Sequence, residues 1–329
     1  MARNVGDLAL FLDAMVDHSV ERQTGWDFDA PKNLPMRISS YTELLQTESA
    51  LNMVMPQRIA WSPDLGGLLQ GALNAELLDI CEKAAQWFGQ VKSTSSVESG
   101  RCPDLSEARM VFNILRGESF AQSRADDWND PARRQLLKPE ILWNVNIGHE
   151  AKTRDALVIA QAAHERIFSE VQAFFRDYDM LITPCTIVPP FDAQVRYPTK
   201  AGQQGVQFCN YIDWMAMSWA VTVMQCPALA IPIGFCSAGL PVGLQLIAKP
   251  FAEPVLLAAA AAFEAAHPDI AASVPIEPRR GCNPLGTAVD GPRTPEAAHC
   301  LAQSKAASIE SVLTPVAPGA QFFSSTSNL

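Results

Sequence analysis

The feature that most constrains the fold of this chain is a long stretch without charge. From Trp214 to Ala248 the sequence reads WMAMSWAVTVMQCPALAIPIGFCSAGLPVGLQLIA, with no Asp, Glu, Lys, Arg or His. Such a stretch is long enough to span a bilayer. Three prolines and Gly239 interrupt it, however, and its polar side chains would lack hydrogen-bond partners in lipid. We therefore interpret it as the interior of a large α/β core, and we expect no membrane span.

Helices and strands are predicted to alternate along the chain. NYIDWMAMSWAVTVMQ predicts a buried helix, and ALAIPIG and PVGLQLIA predict two strands joined by a turn at Gly239. RIAWSP predicts another short buried strand. A long helix capped by Thr153 is predicted to lead directly into the buried strand DMLITPC. A helix followed by a buried strand is typical of an α/β fold.

Four other segments predict helices from their caps and apolar spacing. In MARNVGDLALFLDAM, Asn4 can cap a helix that begins almost at the first residue, with Asp7 three positions on. In NAELLDICEKAAQWFG, Asn74 can cap the helix and Gly89 can end it. LSEARMVFNILRGESFA predicts a helix weakened by Gly117, and EPVLLAAAAAFEAA predicts the last helix.

The composition changes near the carboxyl terminus. After about residue 268 the chain is rich in Pro, Gly, Ala, Ser and Thr and has few large apolar residues. Such a composition buries too little apolar surface to offset the entropy of ordering. We therefore predict a folded part over residues 1–267 and a disordered tail over residues 268–329.

Charge and cysteine usage exclude several classes of protein. The net charge of −10 argues against a general nucleic-acid or anionic-membrane binder, since both need basic surface. The eight cysteines include no Cys-x-x-Cys pair, and most have apolar neighbours. This pattern favours buried free thiols in a reducing compartment, and no secretory signal opens the chain. We expect a cytoplasmic protein.

The sequence contains no complete motif for metal or phosphate chemistry. HEAKT at His149 and HERIF at His164 each lack the second histidine four residues on, so neither presents two zinc ligands on one helical face. Neither a glycine-rich phosphate loop nor a Ser-x-x-Lys pair occurs. The serines of KSTSSVESG (92–100) have no glycine-rich oxyanion loop beside them, and Cys185 has no histidine close in sequence. Ordinary structural roles are favoured for these residues.

Three segments resemble landmarks of the amidase signature family, in the same order. They are MARNVGDLALFLDAM, DYDMLITPCTIVPPF and CPALAIPIGFCSAGLPVGLQLIAKPFAEPVLLAAAAAFE. The third is the most specific, because it combines a Pro-led strand, a Gly-Leu-Pro turn, a Gly-Leu-Gln-Leu strand and a Phe-x-Glu helix entry. The resemblance covers roughly residues 1–266.

The resemblance implies a fold and an activity. Enzymes of this family hydrolyse the C–N bond of small carboxylic amides in an α/β/α domain built around a mixed sheet. They use a serine nucleophile, a second serine held by a cis peptide bond and a lysine, with no metal or organic cofactor. The lysine, relayed by the second serine, takes the proton of the nucleophile, and backbone N–H groups hold the oxyanion.

The resemblance also implies that this chain is an incomplete amidase domain. In the family all three catalytic residues precede the landmark that matches MAR here, and Met1 falls on an internal methionine of that landmark. Arg3 and Asp7 match family positions with a structural role at the helix start. No catalytic residue is therefore assigned in this chain, and we expect it to be inactive and unstable alone.

Five residues are carried over as candidate substrate-binding positions. In the family, the strand that ends in Thr-Pro lies close to the acyl side of the substrate pocket. The matching residues here are Thr183, Pro184, Cys185 and Thr186, with Trp214 as a weaker candidate. Plain core and turn roles remain open for all five.

Three explanations of the short match remain open. The chain can be an amidase whose gene is truncated or split, which is the interpretation we favour. It can instead be a non-catalytic pseudoenzyme or binding subunit that completes its core with a partner chain. The unusual tail is also consistent with a degraded gene remnant.

Overall fold

The structure is a computed structural model that describes residues 1–16 and 40–272, apart from Gln70, Arg154, Gln204 and Cys209. Residues 17–39 and most of the predicted tail lie outside the described residues. The boundary predicted at residue 268 falls at the start of a short helix, Pro268–Ala272.

A mixed five-stranded sheet forms the centre of the described fold. Its strands are β1 (Arg58–Trp61), β2 (Ser96–Ser99), β3 (Met180–Pro184), β6 (Ala228–Phe235) and β7 (Pro241–Ala248), and their order is β2-β1-β3-β7-β6. Strand β1 runs parallel to β2 and β3, whereas β7 runs antiparallel to both β3 and β6. Two short strands, β4 (Lys200–Ala201) and β5 (Val206–Gln207), form a separate antiparallel pair. The strands predicted from RIAWSP, DMLITPC, ALAIPIG and PVGLQLIA are all confirmed.

Helices precede, separate and follow the strands. They are α1 (Val5–Met15), α2 (Tyr41–Gln46), α3 (Glu48–Val54), α4 (Ala75–Trp87), α5 (Ala108–Ser123), α6 (Ala125–Asn129), α7 (Pro131–Arg134), α8 (Pro139–Thr153), α9 (Ala156–Asp177), α10 (Ala216–Met224), α11 (Glu253–Ala266) and α12 (Pro268–Ala272). Short 3₁₀ turns at Phe88–Gln90 and Asp213–Met215 follow α4 and precede α10.

Apolar side chains cover both faces of the sheet. Ala60, Leu181 and Ile247 pack on one face with residues of α5, α9 and α10. Their strand neighbours, such as Ile59 and Ile182, pack on the opposite face with residues of α1, α4 and α11. Because side chains alternate across a strand, these buried strands need apolar residues at nearly every position. The predicted α/β fold is confirmed.

The uncharged stretch folds as predicted into α10, β6 and β7, with Gly239 (φ 72°) in the turn between the strands. None of the helices in the described part of the chain is both long and apolar enough to cross a membrane.

The first helix has the predicted cap but a mixed surface. The Asn4 side chain accepts a hydrogen bond from the Asp7 backbone N–H at 2.7 Å. Val5 and Ala9 are buried, whereas the side chains of Phe11 and Met15 are 51% and 58% exposed. The backbone N–H of Val5 donates to Glu264 Oε2 at 2.9 Å, so α11 helps to fix the start of α1.

Two details differ from the sequence prediction. Thr153 ends α8 instead of capping the long helix, and α9 begins at Ala156 after Asp155, whose φ is 53°. Gly117 allows a close helix crossing, because a Cβ there would lie 2.8 Å from the Gly148 backbone nitrogen in α8. Both features depend on how α8 packs, which the sequence of α5 or α9 alone does not reveal.

Candidate functional site

The candidate site is built around Thr183, near the carboxyl end of β3. Its side chain is fully buried on the sheet face that packs against α10. Thr183 Oγ1 accepts a hydrogen bond from Gln245 Nε2 at 3.2 Å and donates to the Pro184 carbonyl at 3.3 Å. Gln245 Nε2 also donates to the Met217 carbonyl of α10 at 3.1 Å. The Gln245 amide thus links β3, β7 and α10.

Pro184 occupies a position where its missing N–H costs nothing. Ile182 directs its carbonyl toward β1, where it accepts from the Ser62 backbone N–H at 3.0 Å. Because backbone direction alternates along a strand, Pro184 also faces the β1 side, beyond the last β1 residue, Trp61. The chain can therefore leave the sheet at this point with no donor left unpaired.

Cys185 follows at the rim of the sheet and does not have the properties of a nucleophile. Its backbone N–H donates to the Gly243 carbonyl at 3.1 Å, and its Sγ would lie 3.1 Å from a Cβ placed on Gly243. Burial raises the pKa of the Cys185 thiol to about 12. A thiol is nucleophilic only as the thiolate, so this cysteine is protonated and unreactive near neutral pH.

Trp214 lies in the turn before α10, and hydrogen bonds hold this turn in place. The Asn210 side chain accepts from the backbone N–H groups of Ile212 and Asp213, at 2.8 and 3.2 Å. Asp213 is fully buried, and its Oδ1 lies 3.5 Å from Nε of Arg109. Trp214 is half-buried and packs edge-on against Phe191, with ring centroids 5.6 Å apart.

The structure therefore brings four of the five sequence candidates together at the end of β3. Thr183 and Pro184 are buried, whereas Cys185 and Thr186 are half-buried. Trp214 lies only three residues before Met217, whose carbonyl accepts a hydrogen bond from the Gln245 side-chain amide. The aromatic contact of Trp214 is with Phe191, which follows Thr186 in the same segment.

Sequence reasoning missed Gln245 as a site residue. Gln245 pairs with Thr183 on one side and with Ala230 on the other. A sequence signal was available, because Gln245 is the one polar residue of the strand PVGLQLIA, and a buried polar side chain needs a partner. The identity of that partner could not be read from the sequence, since it depends on the strand register.

The other motifs have structural contacts. His164 lies in α9, with Nε2 2.9 Å from the Val223 carbonyl. In the segment 92–100, Lys92 Nζ donates to the Asn52 carbonyl at 3.0 Å, and Ser95 Oγ donates to the Pro56 carbonyl at 2.7 Å. Across residues 1–16 and 40–272, no group of three or more His, Cys, Asp or Glu side chains is placed to hold a metal ion.

Comparisons with known proteins identify relatives over most of this chain. A family model described as Amidase matches residues 1–257. An acylamidase of Rhodococcus erythropolis is 26% identical over 272 residues, covering 82% of this chain and 52% of the relative. One glutamyl-tRNA(Gln) amidotransferase subunit of Moorella thermoacetica is 27% identical, covering 80% of this chain and 53% of the relative.

Solved structures share the fold at lower sequence identity. A 6-aminohexanoate cyclic dimer hydrolase matches with a TM-score of 0.59 and 18% identity, over 81% of this chain and 54% of that chain. A bacterial aryl acylamidase of the amidase signature family matches with a TM-score of 0.55 and 19% identity, over 72% of this chain and 49% of that chain. The chain thus spans about half the length of these proteins.

Proposed function

The chain belongs to the amidase family, and from that membership we propose that it forms part of a hydrolase that cleaves the C–N bond of small carboxylic amides. The observation that carries the proposal is the family match over residues 1–257. The mixed sheet and its helices support it, because solved amidase signature enzymes share this arrangement.

Within such an enzyme, the end of β3 would supply one wall of the substrate pocket. Thr183 is fully buried by its contact with Gln245, so we assign it the role of positioning this wall. Cys185 and Thr186 are half-buried, and they would contact the acyl side of the substrate together with Pro184. Trp214 and Phe191 would add an aromatic surface nearby.

We further propose that the 329-residue polypeptide has no amidase activity of its own. The support is the resemblance of its first residues to a landmark that follows the catalytic serines and lysine in the family, together with its coverage of about half of each relative. No metal or organic cofactor is assigned. The five free cysteines of the described part support a reducing, cytoplasmic location.

Hydrolysis of an aryl amide tests the activity proposal directly. The purified 329-residue chain should release no aryl amine above the uncatalysed rate, whereas an intact amidase assayed beside it should. Turnover that co-purifies with the chain through successive columns would contradict the proposed inactivity. The intact mass of the native protein is the companion measurement, because a mass well above 35.8 kDa would indicate a longer, complete amidase.

A second candidate function is a non-catalytic binding subunit that completes its core with another chain. The coverage of about half of each relative favours this candidate, and one relative is itself named as part of a multi-subunit enzyme. Co-purification of the native protein with one partner in fixed stoichiometry would support it. A native protein that is a free monomer would exclude it.

A further inference from the structure

Arg116, in the middle of α5, is a half-buried cation with no acid partner among residues 1–16 and 40–272. Its Nη2 donates a hydrogen bond to the Tyr211 hydroxyl at 3.1 Å. Its Nε is buried without an acceptor in the same part of the chain. Because a guanidinium carries five N–H donors, most of its hydrogen-bonding capacity has no protein acceptor there. A ligand can reach the group through its terminal nitrogens, since the side chain as a whole is only half-buried.

Carboxylates on the neighbouring elements already have cationic partners. Arg196 Nη2 donates to both carboxylate oxygens of Glu140 in α8, at 2.6 and 2.7 Å. Asp213, in the turn before α10, lies 3.5 Å from Nε of Arg109. A charge that is partly removed from water is costly unless an opposite charge compensates it. The fold therefore leaves Arg116 able to pair with an anion that this part of the chain does not supply.

Aromatic rings on α5 hold the guanidinium in place. Phe112 and Phe120 lie one turn before and one turn after Arg116, and its Cζ is 5.5 and 4.8 Å from their ring centroids. Both rings are half-buried. Stacking on aromatic faces orients the planar group and limits the entropy that it would lose when it binds a ligand.

The Tyr211 hydroxyl supplies a second polar group beside Arg116. Its oxygen accepts from Arg116 Nη2 and also from Asn144 Nδ2, the latter at 2.7 Å. With both lone pairs used, its own proton is available to donate. The Trp143 ring packs edge-on against Tyr211, with ring centroids 6.1 Å apart, and both side chains are half-buried. A cation, an O–H donor and apolar rings thus meet between α5, α8 and the turn before α10.

We propose that Arg116 and Tyr211 bind the carboxylate of a small organic acid, whose apolar body packs against the neighbouring aromatic rings. Arginine pairs with carboxylates through its planar fork of N–H groups, and ligand sites typically combine apolar walls with a few convergent polar groups. One guanidinium compensates one negative charge, and the chain carries a net charge of −10. Both facts favour a monoanionic carboxylate over a phosphate dianion. The site goes beyond the proposed function, because binding there requires no amide cleavage.

A fluorine NMR titration of the full 329-residue chain tests the site with a defined probe. Signals of 4-fluorobenzoate should broaden and shift in a saturable way as the protein is added. The uncharged analogue 4-fluorobenzamide has nearly the same shape, and it should bind at least about tenfold more weakly because it lacks the charge. Inorganic phosphate in about tenfold excess over the probe, at constant ionic strength, should not displace 4-fluorobenzoate.

Two glutamine variants locate the binding. Arg116→Gln removes the charge and should weaken 4-fluorobenzoate binding at least about tenfold, as expected when a charged hydrogen-bond donor is lost. Arg176→Gln is the matched control, because Arg176 is exposed in the last turn of α9 and its replacement changes the net charge by the same amount. This control should bind the probe as the unmodified chain does.

A lysine variant keeps the test decisive if circular dichroism shows that Arg116→Gln does not fold. Arg116→Lys keeps the charge but loses the planar fork, so its affinity for 4-fluorobenzoate should fall about fivefold. Lysine binding the probe as tightly as arginine would overturn the proposed recognition.

Four other results would overturn the proposal. They are no binding of 4-fluorobenzoate to the unmodified chain, equal binding of 4-fluorobenzamide, displacement by phosphate, and equal losses of affinity in the two glutamine variants. Failure of the site can be told apart from failure of the proposed function. Amide turnover without probe binding would reject the carboxylate site and the proposed inactivity, whereas probe binding without turnover would support both.

Discussion

Asp13 in α1 accepts several hydrogen bonds from the segment that begins α2. It accepts hydrogen bonds from the Ser40 hydroxyl at 2.7 Å, the Tyr41 N–H at 2.6 Å, and the Thr42 N–H and hydroxyl at 2.9 and 2.7 Å. Burial by itself would raise the pKa of Asp13, but these hydrogen bonds outweigh it and hold the pKa well below its usual range. Asp13 therefore joins α1 to the start of α2.

Replacing Asp13 by Asn should destabilise the protein in a pH-dependent way. The lowered pKa means that the ionised carboxylate stabilises the folded state above about pH 4, and that this stabilisation is lost as the pH falls below that value. Asp13→Asn should cost about 1 kcal/mol at pH 7, and the difference should shrink toward pH 2. Urea unfolding of both proteins at several pH values measures it. A difference that grows on acidification would contradict this account.

Three half-buried cysteines should react slowly in the folded protein. Burial raises the thiol pKa of Cys185, Cys102 and Cys226 to about 12. At pH 8, iodoacetamide should therefore alkylate these residues about a hundredfold more slowly in the native state than in urea, because few thiolates are present. Peptide mass spectrometry resolves each site. Equal labelling rates in the native and unfolded states would show that Cys185 is an accessible, activated thiol.

At the scale of the elements, the crossing of α5 and α8 is so close that a single added methyl group would disrupt it. A Cβ at Gly148 would lie 2.2 Å from the Gly117 carbonyl oxygen. Gly148→Ala should therefore force the helices apart and cost about 3 kcal/mol. Gly6→Ala in α1 is the matched control, because its Cβ would meet only Asn4 Oδ1 at 3.4 Å.

The control variant should not be destabilised. Alanine is a better helix former than glycine, so Gly6→Ala should raise the free energy of unfolding by up to about 1 kcal/mol. Thermal or urea unfolding of both variants distinguishes the destabilisation caused by steric crowding from the stabilisation caused by higher helix propensity. Equal effects of the two substitutions would mean that the helices can separate freely at Gly148.

The sequence predicts an element correctly when the interactions that form it lie between residues close in sequence. Asn4 and Asn74 were recognisable as caps because the groups that they bind lie two or three residues away. The start of α9 was predicted at a Thr153 cap, ahead of its first residue Ala156, because the sequence did not show that Thr153 belongs to the end of α8. Gln245 was missed as a site residue because its partners, Thr183 and Met217, are distant in sequence and meet it only after the sheet forms.

For the whole molecule, an open apolar groove of about 620 Å³ lies between β6, α1, α11 and α12. The adjoining edge of β6 pairs with no other strand among the described residues, and such a surface favours dye binding and self-association. The purified chain should enhance the fluorescence of anilinonaphthalene sulfonate, and it should unfold over a broad range of urea concentration. A sharp unfolding transition without dye binding would contradict this expectation.

The resemblance to amidases identified the family from the residues alone, and the family match confirms it. The open edge of β6 could not be predicted in the same way. PVGLQLIA and ALAIPIG both read as buried strands, and only the strand order places β7 inside the sheet and β6 at its margin. The position of an edge is a property of the complete topology, whereas a strand is a property of a few residues.

The strand order also has a consequence for synthesis of the protein on the ribosome. Strand β7 fills the position beside β3, yet it is made more than fifty residues later, after β6. Until Ala248 has left the exit tunnel, the nascent chain presents the finished edge of β3, from Met180 to Pro184, with no neighbour on that side. Translation therefore leaves an apolar strand that is buried in the final fold without this neighbour for several seconds, so the order of synthesis delays the closure of the sheet.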